Sequence, residues 1–457
     1  MNIIICGAGT VGFTIAKLLT EQNHSITVID QSSEDIKKIN DSLDVKAIVG
    51  KATYPSILEK AEGSNADMII AVTKNDEINM LICQIAYTVF NIPKKIARIR
   101  SQDYLNPKFS KVYSKENLPI DVIISPELEI AKSIQRKLEA PGAIDNVPFA
   151  KNKIRLLEIL VEKKCPLIGI KLNELTKKFP KLNANILGVI RENKFVIMKK
   201  ADVMRENDKA YVTINSSQMK ETLNAFGHNE KISNKILIIG GGNVGFNLAK
   251  NIEQSFEDAR LKIIEKDKNR AEFIANELNN TLVVNGDGLD ESILSEVNLE
   301  EVETVIALTN DDEDNLMASV LVEKFSKDKR TMALTNKPNY SLLQTSLNID
   351  DLIDPRMTTV SSILKHVHKG TIENAYSILD GEYEVIEAEI IETSELINKE
   401  LKNTDLPDEI RIGAVLRKDE IIIPRSNYVF KKEDVIVFLA KRDQLPVVED
   451  MFRISSI

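Results

Sequence analysis

Apolar positions along the chain follow two rhythms. Unbroken runs of strand length, such as Ile3-Ile4-Ile5-Cys6, Met68-Ile69-Ile70-Ala71-Val72 and Ile236 to Ile239, predict strands buried on both faces of a parallel sheet. Elsewhere the apolar residues recur at helical spacing. After Gly12 the expected packing face is Phe13, Ala16, Leu18 and Leu19. Two helices are predicted to start on proline, which suits a first turn because that N–H has no helical partner. Pro126-Glu127 leads to Ile130, Ile134 and Leu138, and Pro355-Arg356 leads to Val360, Ile363, Leu364 and Val367. Each stripe suits packing on its own sheet or docking across a neighbouring domain.

Twice the strand-helix-strand rhythm gives way to short alternating strands, a switch that marks domain borders. The expected fold class is α/β: two Rossmann-like doubly wound parallel sheets, each followed by a small β-rich α+β domain. Breaks at Ala140-Pro141-Gly142-Ala143, around His228 to Lys231, and near Gly370 to Asn374 divide the chain into 1–143, 144–230, 231–372 and 373–457.

The halves are copies of one another. Gly7-Ala8-Gly9-Thr10-Val11-Gly12 returns as Gly240-Gly241-Gly242-Asn243-Val244-Gly245, and Val28-Ile29-Asp30 returns as Ile263-Ile264-Glu265. Thr73-Lys74-Asn75-Asp76-Glu77 returns as Thr309-Asn310-Asp311-Asp312-Glu313, with Asn79 matching Asn315 and Gly50 matching Gly286. The small domains echo each other as well: Ile186 to Ile190 resembles Arg411 to Val415, and both precede an acidic turn, Asn207-Asp208 or Glu433-Asp434.

A glycine motif directly after a buried strand has a physical reading. The backbone must turn sharply, approach a pyrophosphate, and pack its new helix tightly on the sheet, and each demand excludes a β-carbon. The helix then aims its free N–H groups and positive end at the phosphates. Asp30 and Glu265 close the second strands, where a carboxylate accepts from adenosine ribose hydroxyls and repels a 2′-phosphate. NAD is thus favoured over NADP in both halves, although Lys266, Lys268 and Arg270 weaken this for the second. The alternative for either acid is a solvated strand end.

Thr73 and Thr309 follow the fourth strands at the ligand edge of the sheet, so they either bond ribose or phosphate or cap the next helix. Arg98 and Arg100 alternate on a predicted fifth strand with only one turned into the crevice, and Arg98 is the better candidate. Their counterparts Leu334 and Asn336 predict two electrostatically different pockets.

Composition narrows the function. The 457 residues carry 60 basic and 69 acidic side chains, a net charge of −9, with no segregated basic patch, which argues against nucleic acid as partner. Cys6, Cys83 and Cys165 are widely spaced without a C-x-x-C pair, fitting a reducing cytosol and neither disulfides nor zinc. No run approaches the roughly 20 apolar residues of a membrane helix. The first residues read as a strand rather than an export signal, so a membrane role is expected through a partner.

With these motifs in place, the chain resembles the tandem RCK (KTN) family, the peripheral regulatory subunits of bacterial Trk potassium-uptake systems. The resemblance spans essentially the whole chain. It is carried by both glycine motifs, Ala66 to Thr73, Asp76 to Met80, Ala97 to Ser101 and the repeated small domain.

It implies binding of NAD(H) and in some cases ATP or ADP, and homo-oligomers (a ring, a dimer or a tetramer) on the cytoplasmic face of a potassium-translocating membrane subunit whose opening they alter. It places nucleotide contacts at Gly7, Ala8, Gly9, Thr10, Val11, Gly12, Asp30, Thr73, Lys74 and Arg98. In the second half they fall at Gly240, Gly241, Gly242, Asn243, Val244, Gly245, Glu265, Asp287, Thr309 and Asn310. The acid at Asp287 is Lys51 in the first half, and Arg98 is Leu334 in the second, so one site is expected to prefer a phosphate-richer ligand such as ATP.

Catalysis has few candidates. His24 precedes the second strand, His228 sits in a linker, and His366 and His368 project in different directions from a predicted helix. Cys6 reads as a small core residue. A soluble NAD-dependent oxidoreductase with duplicated domains is the alternative, and a structural interaction protein with empty pockets a weaker one. Glu162, Asp202 and Glu382 are cation candidates in the small domains that nothing distinguishes from solvated acids. Neither catalytic residues nor a metal site is expected.

Overall fold

The computed structural model describes residues 1–179, 182–325, 329–367, 374–379, 381–445 and 447. The expected break at Gly370 to Asn374 and His368 lie outside the described residues, apart from Asn374 itself.

The first half opens with β1 (Asn2–Cys6), α1 (Thr10–Glu21), β2 (Ser25–Asp30), α2 (Ser33–Ser42), β3 (Lys46–Val49), α3 (Pro55–Lys60) and β4 (Met68–Ala71). It continues through α4 (Asp76–Thr88), β5 (Lys94–Arg98), α5 (Gln102–Leu105), β6 (Val122–Ile124) and α6 (Pro126–Glu139). A small antiparallel sheet follows, with β7 (Asp145–Phe149), β8 (Ile154–Leu160), α7 (Leu172–Lys178), β9 (Ala184–Arg191), β10 (Lys194–Ile197), β11 (Lys209–Asn215) and α8 (Met219–Phe226).

The second half repeats this order: β12 (Lys235–Ile239), α9 (Asn243–Ser255), β13 (Arg260–Glu265), α10 (Lys268–Glu277), β14 (Thr281–Asn285), α11 (Glu291–Glu296) and β15 (Thr304–Ala307). Then come α12 (Asp312–Phe325), β16 (Arg330–Leu334), β17 (Asp351–Ile353) and α13 (Pro355–Leu364). Its small sheet is β18 (Asn374–Ile378), β19 (Tyr383–Glu389), β20 (Ile410–Arg417), β21 (Glu420–Ile422) and β22 (Val435–Lys441).

The fold class is α/β as expected. The first parallel sheet runs β3-β2-β1-β4-β5-β6 and the second runs β14-β13-β12-β15-β16-β17. Strand order reverses between β1 and β4 and between β12 and β15, and ligands of open α/β sheets collect at such switch points. Both central pairs are buried along almost their whole length, which accounts for their uninterrupted apolar sequence.

The chain divides into two compact units. One holds both parallel sheets, Met1–Gln135 with Ser233–Leu364. Within it α13 packs on α1, Ser362 donates to Glu129 at 2.9 Å, and the Gln135 amide donates to Ser255 at 3.2 Å. The proline-started helices therefore cross between the halves. Ile130, Ile134, Leu138, Val360 and Ile363 are buried, while Leu364 is half-buried and Val367 lies beyond the end of α13.

The other unit holds the described residues of Arg136–Ile232 and Lys365–Ile457. Its sheets run β10-β9-β11-β8-β7 and β21-β20-β22-β19-β18, the same order in equivalent strands. One core joins them, with Phe149, Leu156 and Tyr211 packed among Tyr383, Val385 and Leu439. The acidic turns prove to be clamps: Asp208 receives two bonds from Arg191 at 2.7 and 2.9 Å, and Asp434 receives two from Arg417 at 2.7 Å.

Candidate functional site: the two glycine loops and the cavity between the halves

Gly7 and Gly240 leave their strands at φ 115° and 105°, a region that L side chains rarely adopt. A β-carbon on Gly12 would lie 1.8 Å from the Gly7 carbonyl oxygen, and one on Gly245 would lie 2.1 Å from that of Gly240. These four glycines are thus demanded by the protein's own turn and helix packing. Gly9 and Gly242 differ. Their φ angles, −64° and −59°, suit any residue, and a β-carbon on either would meet nothing within 4 Å. Each is the N-cap of its helix, and neither α1 nor α9 has a side-chain cap or a first-turn acid. By contrast α4 is capped by Asn75 and has Asp76 and Glu77 in its first turn.

The strand-end acids are not simply solvated. Asp30 accepts the Ala8 N–H at 2.7 Å and the Ser32 N–H at 2.8 Å; Glu265 accepts those of Gly241 at 2.7 Å and Asp267 at 2.8 Å. Each carboxylate pins the glycine loop to the turn after the second strand. Each oxygen keeps a further lone pair, so a ribose diol remains compatible.

Thr73 and Thr309 do not cap the following helix. Asn75 caps α4, and the Asp311 carboxylate accepts from Asp314 N–H at 2.9 Å. The two threonines instead close a short turn, Thr309 accepting from Asp311 N–H at 3.2 Å, and are tied to Asn79 and Asn315. Lys74 and Asn310 beside them are exposed.

A cavity of about 560 Å³ lies between the two halves. The second half lines it with Gly242, Asn243, Val244, Thr309 and Asn310, all expected ligand contacts; the first lines it with Val11, Arg98, Arg100 and Glu127. This corrects the expectation that only one of the two arginines faces the crevice. Strand β5 ends at Arg98, so strand alternation does not govern Arg100, and both line the cavity. Leu334 and Asn336 line the same cavity, so arginines and their apolar or amide counterparts face one space.

Arg98 donates from Nη2 to the Thr73 carbonyl at 2.8 Å, and its buried Nε has no partner. Burial, and then the neighbouring Arg100, lower its pKa. Arg100 donates to the buried Glu127 at 2.8 Å. Arg356, paired with Asp354 at 2.7 Å, adds a third guanidinium. Glu127 and Arg356 open the proline-started helices, but sequence periodicity alone had no means to bring them to this wall.

Residues 3–126 and 236–355 match the TrkA-N domain family model, and residues 156–227 and 385–453 match the TrkA-C domain model. The chain belongs to the TrkA family. A Trk system potassium uptake protein TrkA of Azorhizobium caulinodans is 39% identical over 455 residues, covering 100% of this chain and 99% of that one. The TrkA of Vibrio alginolyticus is 34% identical over 459 residues, with the same coverage. Among solved structures, the GsuK RCK domain matches with a TM-score of 0.60 at 16% identity, covering 99% of this chain and 95% of that chain. A GsuK channel bound to NAD gives 0.60 at 16%, covering 99% and 79%. At that identity the likeness concerns the fold.

The remaining candidates do not line the cavity between the halves. His24 sits at the opposite end of β2, within 3.4 Å of the amino terminus. His228 contacts the Leu160 carbonyl at 3.1 Å, and Cys6 is buried, its thiol pKa raised by desolvation. Asp287 pairs with Lys266 at 2.7 Å, while Lys51 lies over Tyr54. Among the described residues, no group of three or more His, Cys, Asp or Glu converges on one point, and Asp202 accepts its neighbour Lys199 N–H. No helix of the described residues is long and apolar enough to cross a membrane.

Proposed function

We propose that this chain is the peripheral regulatory subunit of a Trk-type potassium-uptake system, acting on the cytoplasmic face of the inner membrane. In this reading its two glycine loops bind adenine nucleotides, NAD(H) and also ATP or ADP, as signals. The single observation that carries it is the pair Gly9 and Gly242. Neither backbone angle nor protein neighbour requires glycine there, yet both stand at uncapped helix N-termini on switch points of parallel sheets. Close approach of a phosphate is the demand that remains.

Gly7 to Gly12, Asp30, Thr73, Lys74 and Arg98 would serve the first nucleotide, and Gly240 to Gly245, Glu265, Asp287, Thr309 and Asn310 the second. The unpartnered Nε of Arg98 supports a phosphate-bearing ligand in the cavity between the halves. His24, His228 and His366 do not line that cavity. The modules 1–143, 144–230, 231–372 and 373–457 would be two nucleotide-binding and two smaller regulatory domains.

The proposed mechanism is a ligand-biased equilibrium between two shapes of a homo-oligomer. A nucleotide touching both halves stabilises the arrangement in which both contacts are made, and only such differential affinity can do work on a channel. Shifting a population from mostly shut to mostly open takes about 10⁴-fold preference, which several coupled sites in an oligomer can share. The test is calorimetry with NADH and ATP, followed by potassium flux through a reconstituted Trk-type membrane subunit. Wild type should bind and respond, and Gly9→Val with Gly242→Val should do neither. A nucleotide response that survives in the double variant defeats the reading.

A further inference from the structure

The rim of the second glycine loop carries a cation that the first lacks. Arg270, in the first turn of α10, donates from Nε to the Gly241 carbonyl at 2.9 Å and from Nη2 to Asn243 Oδ1 at 3.3 Å. Glu265 accepts the N–H of the same Gly241 at 2.7 Å, so acid and guanidinium hold the two peptide units on either side of this residue. The guanidinium lies 5.5 Å from the Phe246 ring and 5.0 Å from that of Phe273. Flanked in this way, it is fixed before any ligand arrives. Two of its five N–H donors are engaged, which leaves three at the rim.

The first rim is built oppositely. Asp35 follows Asp30 at the spacing by which Arg270 follows Glu265, and Lys38 stands at the place of Phe273. Lys38 is occupied by Glu34 at 3.0 Å and Asp35 at 3.4 Å. Lys266 in the second half is likewise engaged, by Asp287, so Arg270 is the cation fixed directly on that glycine loop.

We propose that Arg270 makes the second cleft accept adenine nucleotides phosphorylated at the ribose 2′ position, the NADPH class, whereas the first cleft rejects them. This rests on the nucleotide reading of the glycine loops. A 2′-phosphate placed beside the ribose-binding acid of the first cleft meets Asp30 and Asp35, where Lys38 is already held by Glu34 and Asp35. At Glu265 it meets a preorganised guanidinium whose free donors match phosphate oxygens.

The experiment compares NADPH with NADH by calorimetry on the full chain, using Gly9→Val to isolate the second cleft and Gly242→Val to isolate the first. The dissociation-constant ratio should be within about threefold of unity at the second cleft and above about thirtyfold at the first. Adding Arg270→Gln to Gly9→Val should raise the second-cleft ratio at least about tenfold, and Arg270→Lys should raise it less. The ratio is insensitive to general loosening of the loop, which would weaken both ligands together. Equal ratios in the two clefts, or a ratio unmoved by Arg270→Gln, overturn the proposal while leaving nucleotide binding intact. Failure of the wild-type chain to bind NADH, NADPH or ATP overturns the nucleotide reading itself and this inference with it.

Discussion

Asn79 accepts both the backbone N–H and the hydroxyl of Thr73 through a single oxygen, at 2.9 and 2.7 Å. Its amide nitrogen donates to the Thr73 carbonyl at 3.2 Å and to the Arg98 carbonyl at 2.8 Å. One fully buried side chain thus ties the ends of β4 and β5 together at the ligand edge of the sheet. Asn315 repeats the backbone contacts of this arrangement with Thr309 and Leu334. Asn79→Ala or Asn315→Ala should each destabilise its half by about 2–3 kcal/mol, because several buried backbone groups lose their partner at once. Urea denaturation of the single variants measures this, and a change under about 0.5 kcal/mol would contradict it.

The glycines of each loop should separate into two behaviours. Gly12→Ala sets a β-carbon against the Gly7 carbonyl and should cost at least about 3 kcal/mol of stability. Gly9→Ala should change stability by no more than about 0.5 kcal/mol while weakening nucleotide binding. Thermal unfolding and calorimetry on both variants distinguish the protein's demand from the ligand's.

Arg100 should act on the second cleft although it belongs to the first half. In a Gly9→Val background, Arg100→Ala should weaken ATP about tenfold or more, the scale of one lost charge-assisted contact. An unchanged ATP affinity would confine Arg100 to its ion pair with Glu127.

Burial pushes the Glu384 carboxyl up to about 7, against a smaller downward pull from Arg442. The folded state therefore holds a proton that the unfolded chain releases near the ordinary carboxyl value of 4.5. Its contribution is fully present below that value and is lost as pH rises through about 7. Glu384→Gln should accordingly stabilise the protein at pH 8 by about 1–3 kcal/mol and make little difference at pH 4. Denaturation curves at the two pH values decide this; a stabilisation larger at pH 4 than at pH 8 has the wrong sign.

Much of the architecture was legible without coordinates because it rests on local physics repeated twice. Uninterrupted apolar runs mean strands covered on both faces, glycines after them mean a turn no other residue can make, and acids at Asp30 and Glu265 mark strand ends. Those constraints act within a few residues, so the sequence displays them directly. Tertiary structure decided what depends on contact between distant segments. Arg100 joined the cavity because β5 stops at Arg98; Glu127 and Arg356 reached it because α6 and α13 cross between halves. Asp208 and Asp434 became clamps only when Arg191 and Arg417 arrived from other strands. Arg270 stood level with Lys266 and Lys268 as a cation behind Glu265 until the fold laid it on Gly241, because a guanidinium's partners are set by position in space and not by spacing along the chain.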